Sequence, residues 1–232
     1  MLKALLTDID GTITDSSRRI HTGSIDTIRS LVDEGIIVVL ASGNAPCFME
    51  ALCKMIGTQG TFIAENGGVI RIGYTGTLQV MGDQQAPREA LAILQAHYHL
   101  QGKELELFSP TYRHADLAFA RTVPATEVQE LLTDFPVQVI DTGYAIHLQS
   151  PGINKGTALV DLAGKLGLAP HEFLAIGDSV NDIQMLRTAG VGITVANAHP
   201  ETKAAAAYVA EKQYGDGFVE AVKKYSSYFR AR

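Results

Sequence analysis

Carboxylates and small hydroxyl residues follow three separate apolar segments of this chain. They are Asp8 and Asp10, then Ser42 and Gly43, then Asp178 and Asp182. Carboxylates gathered in one crevice repel one another unless a cation neutralises them. Hard oxygen ligands of this kind favour Mg²⁺, which takes carboxylates together with waters and substrate phosphate. If the three segments come together, the pattern predicts an acidic, Mg²⁺-dependent site for a phosphorylated ligand.

The segments that precede these residues have the character of strands in a parallel sheet. Residues 2–6 form an apolar run without polar alternation, as in a central strand buried on both faces, and residues 36–41 are the clearest β-branched run. Helical spacing follows each run, and this alternation predicts a parallel sheet wrapped by helices. Ligands bind at the carboxyl ends of the strands in such sheets, so we expect the three segment ends to meet in one crevice.

The alternation of strand and helix stops after residue 68 and returns at residue 153. A hairpin-like stretch at 69–81 is followed by residues that twice suggest helix–strand–strand, with the first two strands near 104–108 and 116–121. We therefore predict an α/β fold with a Rossmann-like parallel sheet, helices on both faces, and a small inserted α+β cap domain. The predicted core comprises residues 1–82 and 153–232, and the predicted cap comprises residues 83–152.

Each motif also has a purely structural interpretation. Asp10-Gly11-Thr12 is an ordinary turn and helix cap, Ser42-Gly43 is an ordinary strand exit, and Asp178 could cap the following helix. Turn chemistry does not, however, require acids at the ends of two strands more than 160 residues apart. The coincidence of all three motifs favours a functional site.

The composition is that of a globular protein. Hydrophobic residues make up 46% and charged residues 19% of the 232 residues, and no apolar run reaches the roughly 18 residues of a membrane span. The formal net charge of −6, without any Lys/Arg cluster beyond a pair, argues against a nucleic-acid or membrane surface. Cys47 and Cys53 lie six apart in a predicted helix and cannot bridge there, so we expect a reduced, cytoplasmic protein.

Four motifs in order resemble those of the haloacid dehalogenase-like (HAD) hydrolase superfamily. They are Asp8-Ile9-Asp10-Gly11-Thr12, Ser42-Gly43, Lys155-Gly156 and Gly177-Asp178-Ser179-Val180-Asn181-Asp182. The insert between the second and third motifs, together with Glu65-Asn66-Gly67-Gly68 and Asn197-Ala198, resembles the Cof-type branch. Within that branch the short chain with its two-unit cap is most similar to the archaeal phosphoglycolate phosphatases. Many Cof-type enzymes have Arg where this chain has Asn44.

The resemblance implies a Mg²⁺-dependent phosphatase that hydrolyses a small phosphomonoester through an aspartyl-phosphate, and it favours 2-phosphoglycolate as the substrate. In this scheme Asp8 is the nucleophile and Asp10 transfers the proton to the leaving group and from water. The residues implied at the metal are Asp8, Asp10, Asp178 and Asp182, and those implied at the substrate are Ser42, Gly43, Lys155 and Asn181.

Several alternatives stay open at the level of sequence. The same motifs fit a sugar-phosphate phosphatase or a phosphomutase, and a strand-end Asp also occurs in receiver-like switches. Asp182 is either a metal ligand or an acid at a helix start. Arg113, which lies between Tyr112 and His114, is either a ligand for a substrate carboxylate or, as the favoured interpretation, a solvated loop residue. The seven histidines form no metal-ligand pattern and receive no role, and a homodimer is left open.

Overall fold

This computed structural model describes residues 1–231, which contain eleven strands and eight α-helices. The strands are β1 (Ala4–Asp8), β2 (Ile37–Ala41), β3 (Phe62–Ala64), β4 (Val69–Arg71), β5 (Gln79–Val80), β6 (Asp116–Ala120), β7 (Gln138–Asp141), β8 (Ala145–Gln149), β9 (Phe173–Gly177), β10 (Val191–Thr194) and β11 (Tyr208–Val209). The helices are α1 (Thr22–Asp33), α2 (Pro46–Ile56), α3 (Gln85–Leu100), α4 (Ala125–Leu131), α5 (Lys155–Lys165), α6 (Ile183–Thr188), α7 (Pro200–Ala205) and α8 (Tyr214–Tyr225).

The larger sheet places the three motif-bearing strands side by side. Its strand order is β11-β10-β9-β1-β2-β3-β4-β5, and all neighbours are parallel except for the pairs β3–β4 and β4–β5 at one edge, which are antiparallel. In the register Asp8 lies opposite Ala41, and Thr7 lies opposite Ile176. The carboxyl ends of β9, β1 and β2 therefore coincide, which confirms the predicted parallel α/β sheet.

Two helical layers cover the two faces of this sheet. Alternate side chains of β1 point in opposite directions, so Leu5 packs in a cluster with residues of α1, α2 and α8, whereas Ala4 and Leu6 pack in a cluster with residues of α5 and α6. All five residues of β1 are buried. The apolar run without polar alternation is explained by this double coverage.

A second sheet of three antiparallel strands, in the order β6-β8-β7, packs with α3 and α4 around its own apolar cluster. The predicted strand at 104–108 was wrong. Leu107 forms an isolated bridge to Phe119, flanked by two backbone hydrogen bonds, from Phe108 N to Ala118 O and from Ala120 N to Glu106 O. The pairing is confined on both sides: β6 ends at Ala120, which faces residue 106, and Ser109, with a positive φ of 52° and a proline after it, turns the chain away beyond residue 108.

No helix within residues 1–231 is long and apolar enough to cross a membrane.

The start of α5 is fixed by a capping box and by close packing. The Asn154 side chain accepts hydrogen bonds from the backbone N–H groups of Gly156 and Thr157, both at 2.9 Å, and Thr157 Oγ1 accepts from Asn154 N at 3.0 Å. A Cβ on Gly67, whose φ is +106°, would lie 2.3 Å from the carbonyl oxygen of Asn154. Only glycine permits this approach, so Gly67 and Asn154 together determine where Lys155 begins the helix.

Replacing Asn154 by Ala removes the acceptor for two N–H groups at the helix start. We expect the free energy of unfolding to fall by about 1 kcal/mol, measured by urea denaturation. Asn154→Ser is the matched control, because a hydroxyl can cap the same groups and should retain most of the stability. Equal losses in the two variants would contradict a capping role.

Candidate active site

Three carboxylates converge where β1 and β9 end. Asp8 is the last residue of β1, Asp178 directly follows β9, and Asp182 closes the 3-10 turn at 180–182. One carboxylate oxygen from each lies within 4.8 Å of the other two. The parallel register brings together acids that are 170 residues apart in the chain.

The buried ammonium of Lys155 lies between two of these acids. Its Nζ donates to Asp8 Oδ1 and to Asp182 Oδ1, each at 2.6 Å, and the side chain is fully buried. Burial alone would lower the pKa of Lys155, but the charges of Asp182 and Asp8 outweigh it and raise the pKa above its usual value. Lys155 therefore stays protonated and holds Asp8 in one orientation.

One ammonium does not balance the charge of this cluster. Burial first, and then the charges of Asp182 and Asp178, raise the pKa of Asp8 well above its usual range, although Lys155 opposes them. Burial and Asp182 likewise raise the pKa of Asp178 to about 7. A divalent cation among these oxygens would offset the repulsion, and their hard-donor chemistry fits Mg²⁺. The acidic cluster is thus compatible with a metal site.

Asp182 uses both of its oxygens within the protein. Oδ1 accepts from Lys155, and Oδ2 accepts from the backbone N–H groups of Asp178 and Ser179, each at 3.0 Å. It makes no side-chain capping bond to α6. Asp182 therefore accepts from the N–H group at the start of the 3-10 turn at 180–182, as a helix-start acid does. It also binds Lys155 and the backbone of Asp178.

The first motif contacts the fourth through atoms that leave no space for a larger residue. Gly11 has a φ of +87°, and a Cβ there would lie 2.3 Å from Asp178 Oδ2. Thr12 Oγ1 donates to Asp178 Oδ1 at 3.1 Å, and Asn197 Nδ2 donates to Gly11 O at 2.9 Å. Gly11 and Thr12 are thus required by the fit to Asp178 and not only by the turn.

The hydroxyl of Ser42 is set up as a hydrogen-bond donor by Asn44. Ser42 Oγ accepts from Asn44 N at 3.1 Å and from Asn44 Nδ2 at 2.9 Å. A hydroxyl oxygen has two lone pairs, so its own hydrogen is left to be donated to another group. Asn44 Nδ2 also lies 3.4 Å from Asp10 Oδ2. Asn44 therefore links the second motif to the first.

Asn181 contacts a residue whose role the sequence did not reveal. Its Nδ2 donates to Asn66 Oδ1 at 2.9 Å, while the buried Asn66 Nδ2 finds no acceptor within the described residues. A Cβ on Gly43 would lie 3.1 Å from both side-chain polar atoms of Asn66. The only sequence signal for Asn66 was its place in the Glu65-Asn66-Gly67-Gly68 stretch.

A cavity of about 660 Å³ extends from the motifs to the smaller sheet. Its lining on the side of the larger sheet includes Asp8, Asp10, Ser42, Gly43, Asp178 and Asn181. Its lining on the side of the smaller sheet includes Phe108, Arg113, Tyr144 and His147. Lys155 and Asp182 lie behind this wall. The structure thus brings all predicted site residues together, with six of the eight at the cavity surface.

Arg113 is not the solvated loop residue that the sequence favoured. It is buried, Nη1 donates to Asp116 Oδ1 at 2.7 Å and to Gly43 O at 3.1 Å, and Nε donates to Phe108 O at 2.8 Å. His147, one of the histidines without an assigned role, is also buried, with its Nδ1 2.7 Å from Asp116 Oδ2. Asp116 is only three residues from Arg113, but Gly43 and His147 reach this pair only in the fold, so no sequence signal indicated that Arg113 is buried.

Glu65 binds the backbone of the loop that contains Arg113. Its carboxylate accepts hydrogen bonds from the backbone N–H groups of His114, Ala115 and Asp116 at 2.7 to 3.1 Å. Burial and the charge of Asp116 raise the pKa of Glu65 to about 7, although the backbone N–H bonds oppose the shift. The contact positions the loop at 113–116 over the end of the larger sheet.

Replacing Lys155 by Met leaves Asp8 and Asp182 buried without their shared counter-ion. We expect the free energy of unfolding to fall by about 3–5 kcal/mol in metal-free buffer at pH 7. Lys165→Met is the matched control on the same helix, because the Lys165 ammonium is partly exposed, lies 3.4 Å from Asp161, and should contribute less than about 1 kcal/mol. A similar loss of unfolding free energy in both variants would show that the buried contacts of Lys155 contribute no more to stability than an exposed ion pair.

The raised pKa of Glu65 makes a prediction about stability and pH. A carboxyl group whose pKa rises on folding stabilises the fold below its unfolded pKa and loses that contribution as pH rises through the folded value. Relative to Glu65→Gln, the wild-type free energy of unfolding should therefore fall by about 2–3 kcal/mol between pH 4.5 and 7. The exposed Glu104→Gln is the control, and a difference between wild type and Glu65→Gln that is independent of pH would contradict the shift.

Comparison with known proteins agrees with this geometry. A family model of haloacid dehalogenase-like hydrolases matches residues 5–113 and 122–222. A protein of Methanoculleus marisnigri named phosphoglycolate phosphatase is 58% identical over 100% of both chains. A protein of the same name from Methanospirillum hungatei is 49% identical, again over 100% of both chains.

Solved structures show the same fold. A crystal structure of a Thermoplasma acidophilum protein matches with a TM-score of 0.86 at 27% identity, covering 97% of this chain and 99% of that one. A HAD-superfamily phosphatase from Bacteroides thetaiotaomicron matches with a TM-score of 0.80 at 20% identity, covering 97% and 96%. With its motifs assembled at one sheet edge and the family model spanning most of its length, this chain belongs to the haloacid dehalogenase-like hydrolases.

Proposed function

We propose that this protein is a Mg²⁺-dependent phosphatase that hydrolyses 2-phosphoglycolate to glycolate and phosphate through an aspartyl-phosphate. The observation that carries the proposal is the contact of Lys155 with Asp8, at the centre of an acidic cluster that borders the Ser42-Gly43 loop. The substrate is suggested by the name of relatives that are 58% and 49% identical over the whole chain. We propose residues 83–152 as the cap domain over a core of residues 1–82 and 153–232.

Asp8 is placed to act as the nucleophile. Lys155 holds Oδ1, whereas Oδ2 accepts no hydrogen bond from the described residues and Asp8 lines the cavity. Oδ2 attacks phosphorus, the bond to the ester oxygen breaks, and the leaving alkoxide takes a proton from Asp10. Water then attacks the phosphorus of the aspartyl-phosphate, Asp10 accepts its proton, and phosphate and free Asp8 are released.

The phosphate oxygens are bound by donors at the end of β2. The Ser42 hydroxyl has its lone pairs occupied by Asn44 and can donate its hydrogen to phosphate, next to the backbone N–H of Gly43. Asn181 borders the same space. Lys155 acts from behind Asp8: it fixes the carboxylate and adds positive charge without reaching the cavity surface.

The metal would be held by Asp8, Asp178 and the backbone carbonyl of Asp10, and when bound it supplies charge neutralisation between the carboxylates and the phosphate. The engaged oxygens of Asp182 support an indirect role, in which it positions Lys155 and the Asp178 loop. A sugar-phosphate phosphatase or phosphomutase would use the same core, so the substrate panel decides between them.

The test is phosphate release from 2-phosphoglycolate, several sugar phosphates and an aryl phosphate, with Mg²⁺ and with excess chelator. We expect turnover only with Mg²⁺ and a strong preference for 2-phosphoglycolate. A preference for a sugar phosphate would contradict the substrate but not the chemistry. No release without a bisphosphate activator would favour a phosphomutase.

Replacing Asp8 by Asn removes the nucleophile without changing the size of the side chain. We expect the loss of all measurable turnover, while circular dichroism and the unfolding transition remain those of a folded protein. Asp26→Asn, at an exposed position on α1, is the matched control and should retain wild-type turnover. Turnover retained in the Asp8 variant would overturn the assignment of the nucleophile.

A further inference from the structure

The wall of the cavity opposite the acids carries an arginine and a histidine that share one carboxylate partner, and this carboxylate lies behind them. Arg113 and His147 both line the cavity and both bind Asp116, which is fully buried and does not line it. Glu65, the next carboxylate in this network, is likewise absent from the cavity surface. This wall therefore presents Arg113 and His147 to the cavity and keeps its carboxylates inside the protein.

Counting the donors of Arg113 shows which atom is left for a ligand. Nε donates to Phe108 O, and the two hydrogens of Nη1 are accounted for by Asp116 Oδ1 and Gly43 O. A guanidinium has five N–H donors in a planar fork, so both hydrogens of Nη2 remain. Nη2 has no acceptor within residues 1–231, and it is not among the buried polar atoms without a partner, so it has access to the cavity.

His147 offers a second group of the same kind. Although burial raises the pKa of Asp116, hydrogen bonds and charges from His147 and Arg113 lower it overall, so Asp116 is a carboxylate and can only accept. Nδ1 of His147 therefore carries the proton that Asp116 accepts, and the ring points its other nitrogen, Nε2, away from this contact. With Nδ1–H engaged by Asp116, a hydrogen on Nε2 would be free to be donated to an anion in the cavity.

Both residues touch Gly43, the residue beside the proposed phosphate site. Arg113 Nη1 donates to Gly43 O at 3.1 Å, and a Cβ on Gly43 would lie 3.1 Å from His147 Cε1. An anion bound by the remaining donors would therefore lie next to a phosphate bound at Ser42 and Gly43. A second negative group on a small phosphate ester would meet these donors.

We propose that Arg113 Nη2 and His147 Nε2 bind the carboxylate of the substrate, so that this pair selects phosphate esters that carry a carboxylate close to the ester oxygen. The proposal rests on the proposed function, because it requires phosphate to be bound at the end of β2. Asp116 and Glu65 are positioning residues in this arrangement, since they hold the pair and its loop without reaching the ligand.

The experiment compares kcat/KM for 2-phosphoglycolate with kcat/KM for ethyl phosphate, which has two carbons but no carboxylate. His147→Asn keeps a donor near the position of Nδ1 for Asp116 and removes Nε2, whereas His147→Gln places its amide near the position of Nε2. Arg113→Lys keeps one positive charge for Asp116 and removes Nη2. We expect His147→Asn and Arg113→Lys to lower the phosphoglycolate-to-ethyl-phosphate ratio by about 10- to 100-fold, and His147→Gln to lower it less.

The outcomes separate the carboxylate site from the proposed function. A wild-type preference for 2-phosphoglycolate that falls in His147→Asn and Arg113→Lys supports the site. If the wild type shows the preference and the variants lose activity equally on both esters, the two residues are only structural and the carboxylate site is overturned, while the proposed function stands. A wild type that hydrolyses both esters equally well overturns the substrate and the carboxylate site together.

Discussion

The buried ion pair network of Lys155 with Asp8 and Asp182 is the interaction on which the rest of the site depends. It joins three parts of the chain, the end of β1, the start of α5 and the turn after β9. A buried ammonium is tolerated only with close partners, and two adjacent carboxylates are tolerated only with a cation. The capping of α5 by Asn154 and the glycine at position 67 follow from this need, because both determine where Lys155 lies.

The cavity is electrically polarised by the two sheets that border it. Asp8, Asp10 and Asp178 lie on the side of the larger sheet, while Arg113 and His147 lie on the side of the smaller one with Asp116 behind them. A metal ion would be drawn to the first wall and an anionic group to the second. Such an arrangement suits a substrate that carries phosphate at one end and a second negative charge at the other.

Residues that act through local chemistry were predictable from sequence, and residues that act through distant contacts were not. The strand-end acids and the Ser42-Gly43 loop were recognisable because each motif combines a strand, a turn and particular residue types. The roles of Asn44, Asn66 and His147 were not predictable, because each side chain contacts a residue that is distant in sequence. These partners are Asp10, Asn181 and Asp116, respectively. The predicted strand at 104–108 failed for a related reason, since its composition suits a strand but its partner β6 offers it only one bridge before the turn at Ser109.

By itself the sequence determined the parallel α/β sheet, the inserted second sheet, and the identity of the acids at the ends of β1 and β9, because apolar periodicity and turn residues are local properties of the chain. Tertiary structure alone decided that Lys155 is buried behind Asp8, that Asp182 uses both oxygens inside the protein, and that Arg113 is buried and not solvated. Burial and charge pairing depend on atoms that are distant in sequence. The protonation and orientation of these groups are therefore determined only when the strands and the two sheets have come together.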